Sequence, residues 1–251
     1  MIIIKSDSDI RLMRRAGEIT AMTLNMAKKA VKPGMSTKEL DGMIEDFIRS
    51  HGAVPSFKGY GGFPGSACIS VNNVVIHGIP SKKVIIKDGD IVSIDVGAYI
   101  GGFHGDTAAT VGVGNVPENA LRLMEVTKTS LEKAAQIMRA GVRLGDIGST
   151  VQSYCESFGY GVVRDFVGHG VGRDMHEDPS VPNYGKPGHG LRLPKGATVA
   201  VEPMINEGTP DVVISKRDGW TVTTADGKLS AHFEHTFYID DTQAHILTKA
   251  D

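Results

Sequence analysis

The sequence predicts a mixed α/β (α+β) fold made of two related halves, each running helix, helix, strands. Three observations carry that expectation. Apolar residues recur at helical spacing in four segments. Short runs rich in branched residues, separated by Gly, Pro, Asn and Asp, follow each pair of helical segments. A constant offset of 107 residues relates Gly34 to Gly141, Gly52 to Gly159, Gly89 to Gly196 and Asp95 to Glu202, so helix ends and strand starts fall at equivalent places. The expected organisation is one domain over 1–251, built of halves at about 1–113 and 114–251 and related by a pseudo-twofold axis.

In the first half, Ser8 or Asp9 is placed to cap a helix whose apolar positions Ile10, Met13, Met22, Leu24, Ala27 and Val31 lead to Lys32-Pro33-Gly34. Ser36 with Glu39 fits a capping box, and Leu40, Met43, Ile44, Phe47 and Ile48 supply the buried stripe of a second helix that His51-Gly52 stops. Strands are expected over 67–71, 84–86 and 91–96. The second half repeats the order. Pro117 and Glu118 open a helix through Leu121, Met124, Leu131, Ala135 and Met138, which Gly141 stops; another runs from Asp146 to Phe158, closed by Gly159. Strands are expected again over 161–167, 198–202 and 232–239.

Composition narrows the function. Lysine plus arginine number 27 against 29 acidic residues, so no global basic field gathers nucleic acid or anionic lipid. Lys5, Asp7 and Asp9 interrupt the N-terminal apolar run too early for a signal peptide, and no apolar stretch approaches the about 18 residues of a membrane span. Cys68 and Cys155 lie far apart and outside any CxxC, which argues against a disulfide framework or a structural zinc knot. A reducing cytoplasm is the expected location, without a membrane or specific nucleic-acid partner. A GxSxG elbow, a Walker loop and HExxH are absent, and Arg173 breaks the GxGxxG that would start at Gly168.

The chemistry sits in misplaced acids. Asp95 ends the apolar run Ile91-Val-Ser-Ile-Asp95, Glu202 sits in Val199-Ala-Val-Glu202-Pro, and Glu234 in His232-Phe-Glu234-His-Thr-Phe. A buried carboxylate is expensive unless paired or bound to a cation. A hairpin turning near residues 100 and 101 is expected to set Asp95 opposite Asp106, with β-carbons about 4.5–5.5 Å apart. Such a pair calls for divalent ions about 3.5–4 Å apart. His169 adds an imidazole between glycines that allow close backbone approach. Taken singly, each acid is also explained as a strand-end carboxylate bonded to an amide or arginine, Asp106 as a turn starter and His169 as a core histidine. Taken together, the five favour a metal centre, and oxygen ligands with one imidazole suit Mn, Fe, Co or catalytic Zn.

The motifs Cys68-Ile-Ser-Val-Asn, Val75-Ile-His77-Gly-Ile-Pro80, Asp90-Ile-Val-Ser-Ile-Asp95, His104-Gly-Asp106-Thr, Gly168-His169-Gly-Val-Gly, Val201-Glu202-Pro and Phe233-Glu234-His-Thr follow in an order and spacing that resemble the type I methionine aminopeptidases over essentially the whole chain. The resemblance is to the minimal bacterial form, without the cysteine-rich N-terminal extension of many eukaryotic relatives. It implies a duplicated "pita-bread" fold, a curved antiparallel sheet carrying two helix pairs. It also implies a cytosolic, monomeric enzyme that removes initiator methionine from N-terminal methionyl peptides and nascent chains with a small second residue, in contact with the ribosome.

Carried over residue by residue, the resemblance implies two divalent ions. Asp95 would hold one, His169 and Glu202 the other, with Asp106 and Glu234 bridging. The nucleophile would be a metal-activated water or hydroxide and Glu202 its proton acceptor. His77 would lie near the scissile amide nitrogen and His176 would donate to the oxyanion. Tyr60, Phe63, Cys68 and Trp220 match the methionine pocket, whereas Met175 stands where many relatives carry an aromatic residue. Cys68 reads as pocket wall, having no histidine partner in sequence. Two rivals share the fold: a proline-specific aminopeptidase or dipeptidase, which normally carries an added N-terminal domain, and a binding protein that lost catalysis, against which all five ligands and both histidines argue.

Overall fold

The computed structural model describes residues 1–250. Helix α1 (Asp7–Ala30) starts earlier than expected, because Ser6 rather than Ser8 or Asp9 is its cap. The Ser6 hydroxyl accepts from the Asp9 amide at 3.3 Å while the Asp9 carboxylate accepts from the Ser6 amide at 3.0 Å, so Asp9 closes a capping box from inside the first turn. Ile10, Met13, Ala16, Gly17, Thr20, Leu24 and Ala27 form its buried face. Helix α2 (Thr37–Ser50) carries the expected Ser36 and Glu39 box and buries Leu40, Ile44 and Ile48. Helix α3 (Glu118–Ile137) follows Pro117, and α4 (Leu144–Glu156) begins ahead of Asp146, whose carboxylate instead accepts from the capping Arg143 amide at 3.1 Å.

The strands are β1 (Val54–Pro55), β2 (Ala67–Val71), β3 (Val74–Ile76), β4 (Ile91–Ile100) and β5 (Phe103–Gly112) between α2 and α3. After α4 come β6 (Gly161–Val162), β7 (Gly168–Gly170), β8 (Glu177–Val181), β9 (Thr198–Val201), β10 (Met204–Asn206), β11 (Val212–Ile214), β12 (Val222–Thr224), β13 (Ser230–His232), β14 (Glu234–Ile239) and β15 (Ala244–Ile246). The main sheet has nine strands in the order β1-β4-β5-β14-β9-β7-β8, with β2 beside β4 and β15 beside β14, every pair antiparallel. Two three-stranded sheets, β13-β10-β6 and β11-β12-β3, flank it.

Three expected strands differ. Segment 84–86 has no place in a sheet; Ile86 donates to the Met35 carbonyl and Thr37 to the Val84 carbonyl, so the segment straps the start of α2. Segment 161–167 supplies only the short β6, and β7 begins after it at Gly168. Segment 232–239 divides at Phe233, because His232 pairs with Met204 in a small sheet while Glu234 pairs with Ala108 in the main one.

Helices α1 and α2 bury Ile19, Leu24, Leu40 and Ile44 against Val92, Ile94 and Val96 of β4. Helices α3 and α4 bury Leu123, Leu131, Ile147 and Val151 against Val199, Val201 and Phe237. One face of the curled sheet is therefore covered by helices, and the other is left for chemistry. α1 lies close enough to β5 and the C-terminal segment that a Cβ on Gly17 would stand 2.2 Å from the Leu247 carbonyl oxygen. Gly17→Ala should therefore destabilise by about 1–3 kcal/mol through forced backbone shift. Gly42→Ala on α2, where nothing lies within 4 Å, should stabilise by about 0.5–1 kcal/mol. Urea unfolding of the two variants beside the parent reads both, and equal midpoints would contradict the packing described.

Candidate metal centre

Register alone gathers the acids. β2 sets Cys68 opposite Asp95, β4 sets Asp95 opposite Ala108, and β5 sets Ala108 opposite Glu234. His235 pairs with Val201, so Glu202 comes one step beyond the end of β9, opposite Glu234. Cys68, Asp95, Ala108, Glu234 and Glu202 thus form one row across the sheet. Their neighbours Val96 and Val201 point into the helix-covered cores, so strand alternation turns the row to the open face. The small Ala108 leaves room in the middle of the row.

Asp106 corrects the expected hairpin. It lies opposite Gly97, and Asp95 opposite Ala108, because Gly101-Gly102 themselves form the two-residue turn rather than residues 100 and 101. Both glycines have positive φ, 62° and 85°, as such a turn requires. The two aspartates still share a face, but as diagonal neighbours, for which backbone separations run about 7–8 Å. Gly97 has no room for a side chain: a Cβ there would be 2.9 Å from the Phe57 ring.

His169 comes from β7, where Gly170 pairs with Val199. Val199 faces the helical core, so alternation turns His169 to the acids. A Cβ on Gly168 or Gly170 would stand 2.3 Å or 2.2 Å from a backbone carbonyl oxygen, which accounts for the glycines on each side. His169 Nδ1 lies 2.8 Å from the Gly170 carbonyl oxygen. A carbonyl only accepts, so Nδ1 carries the proton and Nε2 presents its lone pair, the arrangement of a metal-ligating imidazole. Nε2 is 3.7 Å from Asp106 Oδ2 and 3.6 Å from Glu202 Oε1. Ligand atoms of Asp106, His169 and Glu234 all lie within 4.8 Å of one another.

The electrostatics favour a cation, or protons in its place, among the acids. Burial pushes the Asp95 carboxyl up to about 7 and the Glu202 carboxyl up to about 8. Burial and then the charges of Asp95 and Glu202 raise Asp106 well above the usual range, and burial followed by Asp106, Glu202 and Asp95 does the same to Glu234. Asp95 Oδ1, Asp106 Oδ1 and Glu234 Oε1 are buried without a hydrogen-bond partner among the described residues. Orphaned buried oxygens of this kind cost about 1–3 kcal/mol each. Four carboxylates and one imidazole with free lone pairs aimed at a common space fit divalent cations with oxygen and nitrogen preference.

Beside the acids opens a cavity of about 320 Å³. It is lined by Tyr60, Phe63, Cys68, His77, Met175, His176 and Trp220, which the sequence singled out for substrate, together with all five acid and imidazole positions. Phe57, Phe63, Cys68 and Met175 form a buried apolar cluster with Trp220 packed against it, edge-on to Phe63 at 5.3 Å. Burial, then the Asp95 charge, pushes the Cys68 thiol well up, which suits a wall and not a nucleophile. His77 adopts φ 56°, a left-handed conformation that a non-glycine residue holds at some cost. Its ring lies edge-on to Phe166 and Trp220, and burial lowers it to about 4, so it is neutral at pH 7. His176 Nδ1 lies 2.9 Å from the Tyr60 hydroxyl, its ring centroid 4.0 Å from that of His169. The loop bearing Met175 and His176 is tied to the N-terminal arm by a buried Lys5–Glu177 ion pair.

Sequence reasoning missed Phe57, Ile76 and Phe166 on the cavity wall, since apolar residues in loops and short strands carry no spacing signal. It also missed His232, buried with Nε2 3.7 Å from Glu202 Oε2. Alternation with Glu234 would have pointed to it.

Residues 11–241 match metallopeptidase family M24. The chain is 54% identical over 248 residues to the methionine aminopeptidase of Clostridium acetobutylicum, covering 99% of each. The crystal structure of a methionine aminopeptidase from Thermotoga maritima superposes with a TM-score of 0.97 at 46% identity, covering 99% of this chain and 100% of that one. The prolidase of Pyrococcus furiosus shares the fold, with a TM-score of 0.80 at 24% identity, over 66% of its own chain.

The raised carboxyls make stability depend on pH with a definite sign. Folded, Asp95 and Glu202 keep protons to about 7 and about 8, whereas unfolded they lose them near about 4. The folded state therefore binds more protons in that interval, and stability falls as pH rises. Between about pH 6.5 and 8.5 the six histidines that burial lowers, His77, His104, His169, His176, His232 and His235, oppose this by about 0.4 kcal/mol each, while Asp106 and Glu234, raised well above the usual range, add to the fall and keep its sign. Chelator-treated protein should lose about 1–3 kcal/mol of stability from pH 6.5 to 8.5, and saturating Mn²⁺ should remove most of that slope. Thermal melts across the range read this; a flat or rising profile without metal would refute the charge account.

Proposed function

The chain belongs to metallopeptidase family M24, and from that premise we propose that it removes the initiator methionine from proteins and peptides. It is a metal-dependent aminopeptidase of pita-bread fold. The observation that carries the methionine specificity is the apolar cluster of Phe57, Phe63, Cys68 and Met175, with Trp220, directly beside the buried acids. A flexible thioether fits such a wall, and its contacts with aromatic rings are favourable by about 0.3–1.5 kcal/mol. The cavity of about 320 Å³ fits one long side chain with a small residue after it.

In this reading Asp95 would hold one divalent ion, His169 and Glu202 the other, and Asp106 and Glu234 would serve both. The orphaned oxygens of Asp95, Asp106 and Glu234 and the free Nε2 of His169 support it. Bound divalent ions supply Lewis acidity, which lowers the pKa of water toward about 7 and polarises a carbonyl. Glu202 would accept the proton of the attacking water, being the carboxylate whose Oε1 stands 3.6 Å from His169 Nε2 at the edge of the substrate cavity. His176, with Nδ1 engaged by the Tyr60 hydroxyl, turns Nε2–H to the oxygen that gains charge. His77, neutral and fixed by its backbone, faces the scissile nitrogen.

No helix among the described residues is long and apolar enough to cross a membrane. We place the enzyme in the cytoplasm, as a monomer acting on chains leaving the ribosome, and read its two halves as an internal duplication within one catalytic domain. Among enzymes of this fold, cleavage before proline is the rival activity.

With Mn²⁺, Fe²⁺, Co²⁺ or Zn²⁺ supplied in turn, purified protein should release methionine from Met-Gly and Met-Ala peptides and act poorly when the second residue is large. Glu202→Gln and His77→Ala should each lower kcat by about 10²–10⁴-fold, the range of a lost proton-transfer group. Inactivity with every metal would refute the reading, and preference for X-Pro peptides would replace it with the rival.

A further inference from the structure

His232 is the buried imidazole that the mechanism above leaves without a role. It is 2% exposed, and its Nε2 is buried without a hydrogen-bond partner among the described residues. Leaving such a donor unsatisfied costs about 1–3 kcal/mol, so its position asks for a cause. Its nearest charged neighbour is Glu202, with Nε2 3.7 Å from Oε2. The other oxygen of the same carboxylate, Oε1, is 3.6 Å from His169 Nε2. Glu202 thus lies between two imidazoles, one beside each oxygen.

The backbone makes this arrangement stiff. Thr110 Oγ1 accepts from the His232 amide at 2.8 Å and donates to the His232 carbonyl at 2.9 Å, and Ser93 bonds Thr110 in turn at 2.8 Å. His232 also pairs with Met204, two residues after Glu202 with only Pro203 between them. The same short stretch of β10 and β13 that places the carboxylate therefore places the imidazole.

We infer that His232 is a positioning residue: its Nε2–H donates to Glu202 Oε2, which leaves Oε1 free to face the metal ligands. A carboxylate can rotate and exchange its oxygens; a donor fixed on one of them removes that freedom. The two imidazoles then hold opposite tautomers. His169 is protonated at Nδ1 by its Gly170 partner and accepts metal at Nε2, whereas His232 is protonated at Nε2 and gives it to the acid. A shift of about 0.5 Å brings the 3.7 Å separation to the upper end of hydrogen-bond distance. The inference rests on the assignment of Glu202 as ligand and proton acceptor.

The test compares His232→Gln, whose amide can place an N–H where Nε2 stands, with His232→Leu, which has the volume and no donor. Isothermal titration with Mn²⁺ alone reads the metal site, and steady-state kinetics on a Met-Ala peptide read turnover. His232→Leu should lose about 10–100-fold in Mn²⁺ affinity, as loss of a ligand's supporting partner does. Its kcat should fall about tenfold or more while KM stays within about twofold, since the residue acts through Glu202 and not on substrate. His232→Gln should keep both within about threefold. A leucine variant that binds Mn²⁺ and turns over like the parent overturns the inference; so does a glutamine variant that falls as far as the leucine one, which would make the role one of shape. If His232→Leu does not fold by circular dichroism, His232→Asn replaces it, its amide too short to reach, and equal behaviour of Asn, Gln and parent counts against the role. A parent that binds Mn²⁺ but cleaves no methionyl peptide refutes the proposed substrate, while the isotherms still decide His232.

Discussion

Four carboxylates on one face of one sheet repel each other, and the rest of the molecule is organised around holding them there. Asp106 and Glu234 lie buried and Asp95 and Glu202 half-buried at the cavity wall, and desolvation lifts every one of them above the range in which a carboxyl ordinarily ionises. A chain free to relax would separate such groups or open them to water. This one cannot, because each acid is pinned by a strand whose opposite side is packed under helices. The hydrophobic cores thus supply the free energy that keeps the acids together, and cations relieve the repulsion where the acids meet.

The restraint is carried by hydrogen bonds as well as by packing. Asp41 of α2, itself buried, accepts from the amides of Ser66 and Ala67 at 2.7 Å and 3.1 Å and so fixes the start of β2, whose Cys68 stands beside Asp95. Thr236 bonds both the amide and the carbonyl of Asp106, and Thr107 donates to the Glu234 carbonyl at 2.6 Å. These hydroxyls stitch β5 to β14 where the ladder would otherwise spread around the acids. Side-chain bonds across the strands hold the acids without adding charge near them.

Much of this was legible in the sequence, for a physical reason. A carboxylate inside an apolar strand run is costly, so Asp95, Glu202 and Glu234 announced themselves, and the helix pairs were visible through Ser36, Glu39, Pro117 and the apolar stripes. What stayed hidden depended on pairing. The turn at Gly101-Gly102, one residue later than residues 100 and 101, moves the Asp95 partner from Asp106 to Ala108, and the Gly-Gly pair, which alone takes positive φ at both turn positions, was the local sign of it. The crossing from β13 to β14 at Phe233 had no such sign, since an unbroken alternation runs through both strands while their hydrogen bonds go to different sheets. That crossing is also what separates His232 from Glu234 and carries it to Glu202.

The site divides between two kinds of structure, and the division bears on what can change in it. The acids belong to paired strands, where a slip of one residue would turn a whole row of side chains from the open face into the helical core. Their geometry is accordingly all or nothing. The apolar wall comes mainly from the segment after β1, from the loop holding Met175 and His176, and from Trp220 before β12, none of which shares that register. Met175 illustrates the consequence: a flexible thioether sits in the cluster with Phe57, Phe63 and Cys68, and replacing it there alters the shape of the pocket without touching a ligand. A single curled sheet can therefore keep one row of acids while the surrounding loops select different side chains, so the shape of the apolar wall can change along a path that the acids cannot follow.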